Sequence, residues 1–152
     1  MDPLTEELES LTALLPRLMG AFQRLFARDL ARFGLTFPQF VTLHVLEQAE
    51  GQCRMGPLAS QAMQSAASMT GIVDRLLEQG LVERERLPED RRAVVVRWTE
   101  EGRDLLARVK VSRQEQGRQL LSSLTPEERQ CIHKALLLMV ERMERGERGE
   151  ED

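Results

Sequence analysis

Apolar residues recur every three to four positions along the first 33 residues, and the same spacing returns near the carboxyl end. The first set is Leu4, Leu8, Leu11, Leu15, Leu18, Phe22, Leu25, Phe26 and Phe33. It predicts an amphipathic helix that Pro16 either kinks or divides and that Gly34 ends. Thr125-Pro126-Glu127-Glu128 is a capping box that starts a last helix. Its apolar stripe is Ile132, Leu136, Met139, Val140 and Met143.

Three shorter helices are predicted between these ends. Thr36-Phe37-Pro38 is a capped start for a helix that continues to about Ala49, and Glu50-Gly51-Gln52 is a turn. Gly56-Pro57 opens a short helix. Ser65 is placed to cap the next helix, which Gly80 ends. Two short helices joined by a tight turn are typical of a helix-turn-helix.

The second helix of this pair has two contrasting faces. Its apolar face is formed by Met69, Ile72, Val73, Leu76 and Leu77. Its other face carries the small or polar residues Ser65, Ser68, Thr70 and Gly71. Small residues let a helix approach a DNA groove closely, and hydroxyl groups can bond phosphates or base edges. This pattern predicts a recognition helix.

A β-hairpin with a basic tip is predicted after the helix pair. Its strands are 81–86 and 93–98, and the turn between them presents Asp90, Arg91 and Arg92. Adjacent arginines at a turn favour a phosphate or a narrow groove opposite them. Thr99 then caps a helix over 100–122. A helix-turn-helix followed by such a hairpin is a winged helix, which indicates binding to double-stranded DNA.

The fold class that follows is mainly α with a small β-hairpin wing. The winged helix-turn-helix is assigned to 37–100, a connecting helix to 100–122, a helical dimerisation region to 1–36 with 122–146, and a disordered tail to 147–152. Because the apolar stripes at both ends need a covering surface, we expect a homodimer. Two-fold symmetry would place the recognition helices about one DNA turn apart, on an inverted-repeat operator.

Charge, cysteines and hydropathy narrow the class of protein. The formal net charge of −4 argues against indiscriminate coating of nucleic acid but permits a local basic surface. Cys53 and Cys131, with no secretory segment before them, are expected to be reduced thiols in the cytoplasm. No apolar run is long enough for a membrane helix. No motif or constellation of an enzyme, and no metal or cofactor site, is evident.

Three segments carry a resemblance to a known family: GLTFPQFVTLHVL at 34–46, PLASQAMQSAASMTGIVDRLLEQGLVERE at 57–85 and PEDRRAVVVRWTEEG at 88–102. They resemble the MarR family of winged-helix transcriptional regulators, over roughly 8–143. Asp90, Arg92, Thr99 and Gly102 fall at the characteristic places of the wing signature. The resemblance implies an intertwined helical homodimer in which the first, fifth and sixth helices interlock. It also implies a repressor that a small, phenolic or anionic effector, or oxidation, releases from DNA.

The resemblance also assigns roles to individual residues. Arg92 would enter the minor groove, Asp90 would orient it and Arg91 would meet a phosphate. The groove-facing residues of the recognition helix would be Ser65, Ala67, Ser68, Thr70 and Gly71. Two positions depart from the family pattern: Gly71 stands where relatives carry a long polar side chain, and Met63 where they place a turn glycine. We therefore expect affinity to depend heavily on the wing.

The remaining candidates have competing interpretations. Arg84 and Arg86 either contact DNA or belong to a solvated strand with alternating charges, and Arg75 either pairs with its neighbour Asp74 or clamps a phosphate. His44 has apolar neighbours, which favours a buried, satisfied histidine. The resemblance instead places it at an effector cavity with Met19, Phe22, Phe26 and Phe40. Two other classes stay open: a module that binds an acidic protein, and a redox sensor using Cys53 and Cys131.

Overall fold

The structure is a computed structural model that describes residues 2–90 and 93–149, without the side chains of 147–149. The described part contains six helices and three strands. The helices are α1 Pro3–Arg32, α2 Phe37–Gln48, α3 Met55–Gln61, α4 Ala66–Glu78, α5 Glu100–Ser122 and α6 Pro126–Gly149. The strands are β1 Gln52–Arg54, β2 Val82–Arg86 and β3 Val94–Trp98.

The three strands form one antiparallel sheet in the order β1-β3-β2. The predicted hairpin is confirmed to within one residue, with Glu83 opposite Arg97 and Arg86 opposite Val94. The turn assignment of Gln52 is wrong, because this residue begins β1 and lies opposite Arg97. Three residues are too few to reveal alternation in a sequence, and this strand exists through its pairing with β3.

The first helix is continuous, so the alternative in which Pro16 divides it is wrong. A proline removes one backbone hydrogen bond, and the turns on either side keep theirs. The Asp2 side chain caps the start of the helix by accepting from the backbone N–H of Leu4. Gly34 follows the end of the helix with a φ of +69°, as its role as a stop predicts.

Helices α2 and α6 both begin with the predicted caps. Thr36 and Gln39 form a reciprocal capping box at α2, with a proline in the first turn. Thr125 and Glu128 do the same at α6, through bonds of 3.2 and 2.8 Å. Helix α6 extends to Gly149, three residues into the segment 147–152 that was expected to be disordered. Glutamate and arginine are good helix formers, which allows the charged end to continue the helix.

The hydrophobic core lies between the end of α1, helices α2, α3 and α4, the first part of α5 and the sheet. Its fully buried side chains include Leu30, Leu43, Leu46, Leu58, Met69, Val73, Leu76, Val96 and Leu106. Ile72 and Leu77, predicted on the apolar face of α4, are only partly buried. Helix α4 and the sheet therefore pack against the same hydrophobic core.

The chain divides into two compact units, 1–113 and 114–152. In the first unit, the apolar side chains along most of α1 are exposed in the single chain; they include Leu4, Leu8, Leu11, Leu15 and Leu18. In the second unit, the stripe on α6 is exposed as well, with Ile132, Leu136, Met139, Val140 and Met143. No helix in the described ranges is long and apolar enough to cross a bilayer.

Candidate functional site

Helix α4 presents the predicted groove-facing residues together on its exposed side. Ser65, Ala67, Ser68, Thr70 and Gly71 are all exposed, whereas Met69, Val73 and Leu76 are buried. Ser65 caps the helix by accepting from the Ser68 N–H at 3.1 Å. The Thr70 hydroxyl donates to the carbonyl of Ala66 at 3.0 Å. The helix therefore has one face committed to the core and one face free for a ligand.

The turn between α3 and α4 forms without the expected glycine. Met63 occupies it with a φ of +52° and an 89% exposed side chain. Its N–H donates to Ser60 at 3.1 Å, and the next N–H, of Gln64, donates to Ala59 at 2.8 Å. The hydrogen bonds of the turn are intact, so Met63 holds a left-handed conformation that glycine would adopt at lower cost.

The hairpin tip is described up to Asp90 and again from Ala93. Asp90 donates through its N–H to the carbonyl of Leu87 at 3.3 Å and accepts from the Ala93 N–H at 2.9 Å. Arg91 and Arg92 lie outside the described residues, so the roles predicted for them stay predictions. The Leu87 N–H also donates to the Ala93 carbonyl at 3.3 Å, so backbone bonds join the described residues on the two sides of the hairpin.

The arginines at the base of the wing have different environments. Arg84 donates to Asp74 of α4 at 2.8 Å, and Arg97 reaches Glu85 at 3.2 Å. Of the two alternatives for Arg75, the ion pair with Asp74 does not form, because Asp74 pairs with Arg84 of the strand instead. The alternative of a phosphate contact by Arg75 stays a prediction. Arg86 makes no ion pair within the described part of the chain.

The joint between the wing and α5 is built by residues of the wing signature. The Thr99 hydroxyl donates to the Gly80 carbonyl at 2.7 Å and accepts from the Gly102 N–H at 3.0 Å. The Thr99 N–H donates to Leu81 at 3.0 Å. A β-carbon on Gly102 would overlap the Leu81 carbonyl oxygen. Thr99 and Gly102 of the signature therefore allow the backbone of α5 to pack closely against the backbone at Leu81.

The residues predicted at an effector cavity form a chain of rings between α1 and α2. Phe22 stacks on Phe26 at 6.0 Å between centroids, and Phe40 stacks on His44 at 6.1 Å. Phe37, which the sequence did not single out, lies between them at 6.3 Å from Phe26 and 6.5 Å from Phe40. Met19 precedes Phe22 on α1 and is exposed.

Arg113 of α5 was missed by the sequence analysis. Its guanidinium lies 3.8 Å from the centroid of Phe26 and 4.4 Å from that of Phe40. Burial lowers the pKa of Arg113, and the charge of Asp29 opposes that shift. Asp29 is fully buried and accepts from the Ser112 hydroxyl at 2.7 Å, while its other oxygen has no partner among the described groups. The cluster of rings therefore has a guanidinium packed on it, with a buried carboxylate nearby.

His44 is half exposed, so the interpretation as a buried, satisfied histidine is wrong. Its side chain is 43% accessible, and its Nδ1 is sheltered 3.3 Å from Glu47 without a hydrogen bond. Glu47 also binds Lys110 of α5, and that bond holds the pKa of the Glu47 carboxyl below its ordinary value. Polar groups from two helices therefore border the ring cluster on this side.

Cys53 lacks the environment of an activated thiol in the structure. Cys53 and Cys131 are free. Burial raises the pKa of the Cys53 thiol, which disfavours the reactive thiolate. Within residues 2–90 and 93–146, no group of three or more His, Cys, Asp or Glu side chains could hold a metal ion.

Comparison with known proteins places this geometry among transcriptional regulators. The model of the MarR family matches residues 35–94. The HTH-type transcriptional regulator YsmB of Bacillus subtilis (strain 168) is 33% identical over 116 residues, covering 76% of this chain and 79% of YsmB. The HTH-type transcriptional repressor IacR of Pseudomonas putida is 27% identical over 130 residues, which are 86% of this chain and 77% of IacR.

The same likeness holds in three dimensions. A MarR family protein from Bacillus stearothermophilus superposes with a TM-score of 0.79 at 27% identity, covering 91% of this chain and 96% of that chain. The matched relatives are named as regulators of transcription rather than as enzymes.

Proposed function

The chain belongs to the MarR family of DNA-binding transcriptional regulators, and on that premise we propose that it is a repressor that binds an inverted-repeat operator as a homodimer. The observation that carries the proposal is the division of α4 into a core face and an exposed face of small and hydroxyl side chains. Such a face suits close entry into the major groove. The repressor named IacR is the relative that supports this direction of regulation.

The homodimer is supported by the uncovered apolar stripes. Large aliphatic side chains of α1 are exposed in the single chain, and so are those of α6. Contiguous exposed apolar surface of this kind is typical of a protein–protein interface. A second copy of the chain is the occupant that the family fold favours.

We propose further that a small anionic or phenolic effector binds beside the rings of Phe22, Phe26 and Phe40. The aromatic side chains offer apolar contact, and Arg113 and His44 offer charge and hydrogen bonds to an anion. Because Arg113 fills the space between Phe26 and Phe40, the effector would have to move this side chain to insert a ring there. No cofactor is proposed.

The experiment that tests the proposal is a footprint of the purified protein on the DNA flanking its own gene. A protected inverted repeat, with dimers in sedimentation velocity, is the expected result. Salt-dependent binding should follow, since each phosphate contact contributes a slope of about 0.9 in log K against log salt. A monomer without preference for any duplex at low salt would overturn the proposal. Tight capture of an acidic protein instead would favour the interaction module.

A further inference from the structure

We propose that Arg84 is a positioning residue that fixes the wing to the recognition helix through Asp74, and that Arg86 supplies the phosphate contact of the same strand. This inference rests on the DNA-binding function proposed above. The two arginines thus have different roles, although the sequence analysis gave both the same interpretations. Arg84 and Arg86 are two residues apart on β2 and therefore point to the same side of the strand.

Both arginines line a groove between α4 and the hairpin. Its volume is about 420 Å³, and its lining is Met55, Thr70, Arg84, Glu85, Arg86 and Val94. The groove lies between the recognition helix and the wing, which are the elements expected in the major and minor grooves of DNA. The sugar-phosphate strand that separates those two DNA grooves is the occupant that fits this place.

Most charges in this region are already paired. Arg84 donates to Asp74 at 2.8 Å. Glu85 is held by Arg97 at 3.2 Å, and Arg97 is bonded to Gln52 at 3.0 Å. Within the described residues, Arg86 is the lining cation without an ion pair. Its guanidinium is therefore free to meet a phosphate.

The pairing of Arg84 has a further electrostatic reason. Asp74 is a half-exposed carboxylate on the helix that faces DNA. If Arg84 turned to a phosphate, it would leave the Asp74 charge uncompensated beside a polyanion, where like charges repel. Keeping the pair neutralises Asp74 and ties β2 to α4. The wing tip is then carried on a strand whose position relative to the recognition helix is set by this bond.

The test compares three variants on the footprinted operator by fluorescence anisotropy over a range of salt concentrations. Arg86→Gln should reduce the slope of log K against log salt by about 0.9, the value of one phosphate contact. Arg84→Gln should weaken binding with a slope equal to that of the unsubstituted protein. The exchanged pair, Asp74→Arg with Arg84→Asp, keeps the charge and the bond, and should recover most of the affinity lost in Arg84→Gln.

Arg103→Gln is the matched control, because it removes the same charge from an exposed arginine of α5 outside the groove lining. Circular dichroism verifies that each variant is folded. A reduced slope in Arg84→Gln, or an exchanged pair no better than Arg84→Gln, overturns the inference while leaving the DNA-binding function in place. An unchanged slope in Arg86→Gln overturns its second half. Absence of duplex binding by the unsubstituted protein overturns both the inference and the proposed function.

Discussion

Leu81 and Gly102 meet backbone to backbone: a β-carbon on Gly102 would overlap the carbonyl oxygen of Leu81. The same carbonyl accepts from the Thr99 N–H at 3.0 Å, so it cannot move away without breaking the joint between the sheet and α5. Gly102→Ala should therefore lower the free energy of unfolding by about 3 kcal/mol, at the upper end of overpacking effects. Urea denaturation measures the change.

The same glycine-to-alanine substitution at Gly71 should have the opposite effect on stability. Gly71 lies inside α4 with nothing within 4 Å of an added β-carbon. Alanine should stabilise the fold by about 1 kcal/mol through helix propensity. If both substitutions change the free energy of unfolding equally, the backbone at Leu81 can move to accommodate a β-carbon on Gly102.

Met63→Gly should raise the free energy of unfolding by about 0.5 to 1 kcal/mol, because it removes the cost of a left-handed methionine and only part of that gain is lost to chain entropy. The side chain is exposed, so little packing is sacrificed. Met63→Ala is the control, since it keeps a β-carbon at a φ of +52°. Thermal unfolding should rank glycine above alanine; the reverse order would mean that the turn is not strained.

Arg92→Ala should weaken operator binding more than Ser68→Ala at matched salt. The Ser68 side chain is short, and its hydroxyl already accepts from that of Ser65 at 2.9 Å. An arginine in a narrow minor groove increases the affinity for DNA through both its charge and its fit to the groove. Anisotropy titrations of the two variants decide the matter, and equal losses would contradict a dominant role for the wing.

His44→Ala should leave operator affinity within about twofold and abolish release by an effector, if the ring cluster is the effector site. Salicylate is a suitable probe because it carries both a phenol and a carboxylate. Release is measured as the rise in apparent Kd with added salicylate. His133→Ala, an exposed histidine of α6, is the matched control. A His44→Ala protein that responds normally in this assay removes His44 from the site.

Alkylation of Cys53 should require a higher pH than alkylation of a free cysteine. Its pKa is raised by burial, so the thiolate fraction at any pH near 8 is smaller than in solution. The rate of reaction with iodoacetamide in a Cys131→Ser protein, followed by mass spectrometry across pH 7 to 10, gives the midpoint. A midpoint below that of free cysteine, together with loss of DNA binding in mild peroxide, would support the redox interpretation.

Local signals in the sequence were sufficient for most helix boundaries. Thr36, Ser65 and Thr125 accept the backbone bonds that their capping positions predict, and these bonds depend on neighbours within four residues. The hairpin could be predicted from the sequence as well, because its two strands are adjacent in the chain. Short-range chemistry of this kind can be recognised without knowing the tertiary structure.

Features formed by distant segments could not be predicted in the same way. β1 exists because Gln52 lies opposite Arg97, and the partner of Asp74 is Arg84 rather than its neighbour Arg75. Arg113 belongs to a stretch of α5 that looks uniformly solvated, yet it packs on Phe26 and Phe40. Each of these contacts joins residues more than nine positions apart, for which the spacing along the chain carries no signal.

The empty position at Gly71 gives this protein room to acquire a new operator. Since a side chain there meets no neighbouring atom at its β-carbon, a single codon change can add a long donor to the recognition helix without disturbing the core. One bidentate contact to a base discriminates by about 1 to 3 kcal/mol, enough to redirect a duplicated copy of the gene toward different promoters. Divergence of regulatory targets could therefore proceed through this residue while the remainder of the chain stays as it is.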